Sequence, residues 1–386
     1  MFITHVKIKN WRNFREAEFD LTQPVSYLIG PNASGKSNLI DVFRFLRDIC
    51  KPTGGGLQQA VEMRRGLKKV RCLHARKDTE VRIEVVLSFD LSNPVSNWRY
   101  VLGFTSEGVG AQRPVVTEEK VEHLGTKPPL IRPDADDQRD PVLLTETHLE
   151  QTRANATFRE LSDHFANVTY LHLVPQLLKF GDKIGGNRLE DDPFGQGFLE
   201  RIAVTHQRTR DSRFRRIEKA LQIAVPKFKE LRFERDEQGR PHIQALYEHH
   251  RPKGAWQGED QFSDGTLRLL GILWSLLDGK GPLLIEEPEL SLHTAVVEQL
   301  PALISRAQRE AKHKRQVIIS THSEAMLSNP GIDAGAVIRL LPGKEGSEIV
   351  PPTEAEVAAL KAGFSVAEAV LPNTRPQGVE QLSLWQ

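Results

Sequence analysis

Two cysteines are all that 386 residues contain, Cys50 and Cys72, and they lack metal-ligand spacing. That argues against a disulfide scaffold and suits a reducing compartment. A surplus of one charge sign is also missing, with 52 Lys and Arg against 51 Asp and Glu. The chain is no polycation, so any nucleic-acid contact must come from local patches. Long apolar runs are absent too. The longest, Leu269 to Leu277, falls far short of the ~20 residues that span a bilayer. The opening MFITHVKIKN lacks the pattern of a signal peptide. A soluble, cytoplasmic protein with no membrane contact is expected. No long heptad run occurs, which excludes an extended coiled coil.

What is present begins with GPNASGKSN, from Gly30 to Asn38. It fits G-x-x-x-x-G-K-[ST] at Gly30, Gly35, Lys36 and Ser37. VSYLI before it reads as a strand, and NLIDVFRFLRDI after it reads as a helix. Strand, glycine-rich turn and helix are the context a phosphate-binding loop needs. The glycines allow backbone angles that a side chain would forbid. The loop amides after Pro31, those of Asn32, Ala33 and Ser34, can then turn inward toward a phosphate. The helix begun near Lys36 adds roughly half a positive charge at its N-terminus. Lys36 would reach the β- and γ-phosphates of ATP, and the Ser37 hydroxyl would ligate Mg²⁺.

Phe2 to Lys9 alternates and reads as a strand, with Phe2, Thr4, Val6 and Ile8 on one face. Glu80 to Phe89, Trp98 to Phe104 and Pro114 to Val121 read as three antiparallel strands. Lys127 to Pro141 is rich in Pro and Asp and reads as a loop. Leu149 to Val225 is mostly helical in pattern, interrupted by VTYLHLVP. Four segments follow: an N-terminal lobe (1–125), a mainly helical insertion (126–227), a C-terminal lobe (228–372) and a tail (373–386). Two stretches are basic. One holds Arg64, Arg65, Lys68, Lys69, Arg71, Arg76 and Lys77; the other holds Arg201, Arg208, Arg210, Arg213, Arg215, Arg216 and Lys219. Each reads either as a solvated face or as a patch that contacts DNA or RNA phosphates.

The C-terminal lobe is dense in motifs. QFSDGTLRLLGILWSLL places Ser263 at a helix N-cap, followed by Asp264 and Gly265. GPLLIEEPELSLH is an apolar strand ending in Glu286 and Glu287, with a helix expected from near Ser291. Buried strands rarely end in paired acids without a reason. Beside a phosphate loop, Glu286 would hold Mg²⁺ and Glu287 would polarise the attacking water. QVIISTHSE ends a further strand at His322, within reach of a γ-phosphate.

In this order, GPNASGKSN, FSDGTLR, LLIEEPELSLH and IISTHS resemble the ABC-type ATPase heads of the SMC/RecF/OLD superclass. The chain is most similar to stand-alone bacterial ATPases of the AAA-21 type found in phage-defence operons. The resemblance implies an α/β P-loop head: a mixed sheet with flanking helices, an antiparallel β lobe and a helical insertion. Gly30 to Ser37 would be Walker A. Ser263, Asp264 and Gly265 would be the signature, reading the γ-phosphate of ATP on a second protomer. Glu286 and Glu287 would be Walker B, and His322 the switch histidine. Arg12 and Asn13 match a position near the adenine or phosphates, and Gln176 is a candidate for the glutamine loop. The signature reads SDGTL rather than SGGQ, and the first Walker B acid is Glu rather than Asp.

An ATP-dependent homodimer is thereby implied. OLD-type nucleases continue into a Toprim domain, whereas here too few residues follow His322 to form one. A separately encoded effector is therefore expected as partner. QLSLW, from Gln381 to Trp385, resembles a sliding-clamp-binding peptide, or else it folds back on the chain's own sheet. Three functions stay open: an anti-phage defence ATPase, a RecF-like repair ATPase, and a nucleotide-gated scaffold with incidental turnover.

Overall fold

The fold comes from a computed structural model, which describes residues 1–75, 77–91, 97–108, 112–123, 128–181, 192–248, 255–311 and 314–374. Its centre is a six-stranded sheet. The strands are β1 (Val25–Ile29), β2 (Thr169–Leu171), β3 (Leu283–Glu286), β4 (Val317–Ser320), β5 (Val337–Gly343) and β6 (Gly346–Val350). They lie in the order β6-β5-β1-β4-β3-β2. All neighbours are parallel except β5 and β6. Such strands are buried on both faces, which is why they read as unbroken apolar runs.

Among the helices that line the cores or lead into the site are α1 (Lys36–Cys50), α2 (Arg159–Ala166), α3 (Pro175–Phe180), α4 (Gln207–Ala224), α5 (Asp264–Leu277) and α6 (Thr294–Glu310). Alternate residues of the central strands point into two cores. Leu28, Leu284, Ile318 and Leu340 join α1, α2 and a second, antiparallel sheet. Tyr27, Ile29, Ile285 and Ile319 join α4, α5 and α6. The antiparallel sheet has six strands among the described residues and contains Phe14–Asp20 together with Phe2–Trp11, Val81–Ser88, Trp98–Ser106 and Pro114–His123, the last four as the sequence pattern predicts.

Three local expectations change. A register shift between Ile3 and His5 breaks the face expected for the first strand. Ile3 enters the core, and the half-buried Thr4 donates its hydroxyl to the Val86 carbonyl. The loop expected over Lys127 to Pro141 holds a strand, Leu130–Arg132, and a short helix, Ala135–Arg139. Asp134 caps that helix, and Arg132 is buried between Glu119 and Asp137. The helix expected near Ser291 starts three residues later, at Thr294. Ser291 has a left-handed φ of 64°, and His293 Nδ1 accepts from the Ala295 amide instead.

The segment expected as an insertion, 126–227, contributes to both cores. Leu161 and Phe165 of α2 lie in the first, and Phe214 and Leu221 of α4 in the second. Thr169–Leu171 pairs with Leu283–Ile285 at the edge of the central sheet. The peptide Gln381 to Trp385 and Arg76 of the first basic stretch lie outside the described residues.

Candidate functional site

The loop from Gly30 to Gly35 joins β1 to α1. Gly30 has φ 152°, and a Cβ there would meet the Leu340 carbonyl oxygen at 2.2 Å. Gly35 has φ 97°, and a Cβ there would meet Asn13 Nδ2 at 2.4 Å. Gly30 therefore demands glycine for space as well as for backbone angle, and Gly35 demands it foremost for backbone angle. Between them Ala33 is left-handed, with φ 63°. Ser34 is buried, and its Oγ lacks a hydrogen-bond partner.

Lys36 folds across the loop and donates to the carbonyls of Gly30 (2.8 Å) and Pro31 (3.1 Å). Burial lowers its pKa, an effect opposed by the nearby Glu287, Glu286 and Glu289. Asn38 donates to Asn13 Oδ1 at 2.8 Å, and Asn13 donates to Ser347. Asn13 thus braces the loop from outside. Arg12 is engaged elsewhere, through two hydrogen bonds to Asp41 Oδ2 at 2.8 and 2.6 Å.

The register of the central sheet brings Glu286, Ser320 and Leu28 level at the C-terminal ends of β3, β4 and β1. In open α/β sheets this is where ligands bind. Glu286 is buried. Burial pushes its carboxyl up, but contacts with His172, Ser37 and Tyr170 outweigh that and hold it below the usual range. Its Oε1 nonetheless lacks a hydrogen-bond partner of good geometry. Among the described residues no group of three or more His, Cys, Asp and Glu side chains could hold a metal. An oxygen pair such as Ser37 and Glu286 fits a hard cation that takes its other ligands from phosphates and water, which is the habit of Mg²⁺.

Glu287 follows with φ 45°, a backbone region that costs energy for a residue with a side chain. Its amide is fixed by a 3.0 Å hydrogen bond to the Ser320 carbonyl. That turn separates the two acids: Glu286 points into the sheet edge, while Glu287 faces His322 Nδ1 at 3.6 Å. His322 is about half exposed, with 51% of its side chain accessible.

The start of α5 is built as expected. Ser263 caps it, its hydroxyl accepting from the Thr266 amide at 3.1 Å. Gly265 lies against the loop after Glu287, where a Cβ would meet the Ser291 carbonyl at 2.6 Å. Among the described residues, no hydrogen bond or ion pair joins Ser263, Asp264 or Gly265 to residues 30–38 of the same chain. Gln176 donates to Asp264 Oδ2 at 2.8 Å.

Three residues escape the sequence pattern. His172, at the end of β2, places Nδ1 3.4 Å from Glu286 Oε2. Tyr170 faces the same carboxylate and stacks under Arg44, 4.1 Å from its ring centre. Glu289 accepts from the Thr321 hydroxyl at 2.6 Å, tying the turn after β3 to the end of β4. The Pro after VTYLHLV marks the end of a strand, but nothing local says that this strand lies beside β3.

The first basic stretch divides. Arg64 is buried, paired with Asp41 at 2.8 Å and Asp48 at 2.9 Å, so it is corrected from a surface contact to an internal one. Arg65, Lys68 and Lys69 are exposed. In the second stretch Arg213 reaches Asp278 at 2.9 Å and Arg216 reaches Glu310 at 3.1 Å, while Arg208 and Arg215 are exposed.

Residues 25–328 match the model of the AAA_21 family, described as "AAA domain, putative AbiEii toxin, Type IV TA system". The chain belongs to the AAA_21 family. Its wider kin are the SMC/RecF ABC-type ATPases. The DNA replication and repair protein RecF of Roseiflexus castenholzii is 29% identical over 94 residues, covering 22% of this chain and 24% of that protein. RecF of Gloeobacter violaceus is 44% identical over 46 residues, 12% of each chain. The AAA_21 chain thus spans a quarter or less of the curated relatives in these matches. An Smc head bound to the C-winged helix domain of ScpA aligns with a TM-score of 0.54 and 14% identity, over 93% of this chain and 99% of that one. An Smc head with an extended coiled coil, bound to the C-terminal domain of ScpA from Pyrococcus furiosus, gives 0.50 and 13%, over 94% and 98%. Both show the shared fold. Among the described residues of this AAA_21 chain no helix is long and apolar enough to cross a membrane.

Proposed function

We propose that the chain hydrolyses ATP, and that two copies close around the nucleotide to act on DNA or on an effector protein. The observation that carries this reading is the convergence of Lys36, Ser37, Glu286, Glu287 and His322 at one end of the parallel strands. In it the loop amides between Gly30 and Gly35 cradle phosphate, and Lys36 leaves its carbonyl partners to meet the β- and γ-phosphates. Ser37 and Glu286 would hold Mg²⁺, which neutralises phosphate charge when bound. Glu287 accepts a proton from the attacking water, and His322 steadies that carboxylate from the γ-phosphate side. Arg12 acts one step removed, through Asp41, and Asn13 through the loop it braces. Asn32, Ala33, Ser34 and Asn38 shape the loop. Ser263 and Gly265 present the capped start of α5 to the ATP of the second copy.

Phosphate release and nucleotide binding test this. Glu287→Gln is expected to bind ATP normally and to lose turnover by about two to four orders of magnitude, the usual size of a general-base contribution. Lys36→Ala is expected to lose binding. Normal turnover in the Glu287→Gln chain would sink the assignment.

The family description names a putative AbiEii toxin and a type IV TA system, which is compatible with a partner effector in anti-phage defence. The RecF matches favour a repair or replication role instead. A nucleotide-gated scaffold is the third reading, and it predicts that only Lys36→Ala, not Glu287→Gln, abolishes function in the cell. Exposed Arg65, Lys68 and Lys69 suit DNA phosphates in any of the three. A sliding clamp bound by Gln381 to Trp385 suits the defence and the repair roles alike.

A further inference from the structure

Asp264 is the acid in the first turn of α5, and both of its carboxylate oxygens are engaged. Lys179 donates to Oδ1 at 2.8 Å and Gln176 to Oδ2 at 2.8 Å. Both donors come from α3, which follows β2 and its His172 beside Glu286. The Lys179 side chain is only 15% exposed, against 36% for Asp264. The cation is thus delivered from beneath, and the carboxylate lies at the surface next to the Ser263 cap.

This inference rests on the reading in which Ser263 and Gly265 meet the terminal phosphate of ATP on a second copy. A helix start contributes roughly half a positive charge toward such an anion. A bare aspartate at the first helical position would reverse that to roughly half a negative charge and repel a polyphosphate. Lys179 restores the sign. As a structural ion pair alone the contact would add little, because the pair is partly exposed. We infer that Lys179 is a positioning residue of the second copy's nucleotide site, where it cancels the charge of Asp264 so that the start of α5 can approach ATP. Gln176 holds the carboxylate in the orientation that Lys179 requires.

The test compares Lys179→Ala, Asp264→Gly and the double variant, each in the Glu287→Gln chain. Mass is followed by light scattering as ATP is added. Lys179→Ala is expected to raise the ATP concentration for half-maximal pairing by about tenfold, and removing Asp264 as well to bring it back to within about threefold. Binding of a fluorescent ATP analogue to the single chain should stay unchanged in all three, which separates a folding defect from the proposed one. Unchanged pairing in Lys179→Ala overturns the inference, and so does a double variant as weak as the single one. If the Glu287→Gln chain itself never pairs with ATP, the two-copy reading falls and takes this inference with it.

Discussion

Arg64 is the clearest case of a residue whose role is set by what surrounds it. Its guanidinium bonds both oxygens of Asp41 and one of Asp48 (2.8 to 2.9 Å), and Arg12, Arg44, Arg47 and Lys51 also pair with these two carboxylates. Breaking a buried pair costs up to about 3–5 kcal/mol when the other charge is left alone, and less here, where Arg12 and Arg47 still partner the two aspartates. Arg64→Ala should therefore lower the urea midpoint. Lys68→Ala with Lys69→Ala should leave it alone and instead weaken DNA binding, with a smaller salt slope. The aspartates also set a pH dependence. Burial pushes the carboxyls of Asp41 and Asp48 up, but their arginine partners, Arg64 and Arg47 foremost, bring them below the usual value. Their contribution to stability is complete above the ordinary aspartate pKa of ~3.9 and is lost as pH falls through the lower folded values. The urea midpoint should drop below about pH 4, and Asp41→Asn should flatten that drop. None of this was legible in the sequence, where Arg64 and Arg65 are adjacent and alike. Charge runs carry no depth. The loop motif was legible because Gly30, Gly35, Lys36 and Ser37 fall within eight residues and need no distant partner to be recognised.

At the scale of elements, Arg315 joins three that the chain brings together from afar. It donates to the carbonyls of Ser275 (2.7 Å) and Gly281 (2.7 Å) and to the Thr169 hydroxyl (3.0 Å), with Asp278 as a further acceptor. These bonds close the end of α5 and the approach to β3 onto the edge strand β2. Arg315 is buried, and burial brings its pKa down to about 10. Arg315→Ala leaves several buried acceptors unpaired, each worth about 1–3 kcal/mol. A loss of at least ~3 kcal/mol is expected by urea unfolding, and a change under ~1 kcal/mol would show that water replaces the guanidinium. The apolar runs of β1, β3 and β4 and the capped start of α5 were readable from pattern alone. The place of β2 was not, because parallel pairing is non-local and three paired residues carry no period. His172 and Tyr170 were hidden with it. The turn at Glu287 was hidden for another reason: a left-handed φ at a glutamate is imposed by the Ser320 carbonyl on the next strand, not by local preference.

The whole molecule places one sheet between two cores, with the motif residues gathered along the sheet's C-terminal edge. The strands that lead into the Gly30–Gly35 loop and into Glu286, β1 and β3, are separated by β4. Helix α5 packs in the second core, and among the described residues its first turn makes no bond to residues 30–38 of its own chain. In the proposed dimer, a site half complete in one copy is completed by the other. ATP-driven pairing of two copies is what the proposed dimer requires. Its most direct test is the mass of the Glu287→Gln chain in solution, measured by light scattering with and without ATP and Mg²⁺. A monomer without nucleotide is expected, and a doubling of mass with ATP that adding Lys36→Ala abolishes. An unchanged mass with saturating ATP bound would refute the claim.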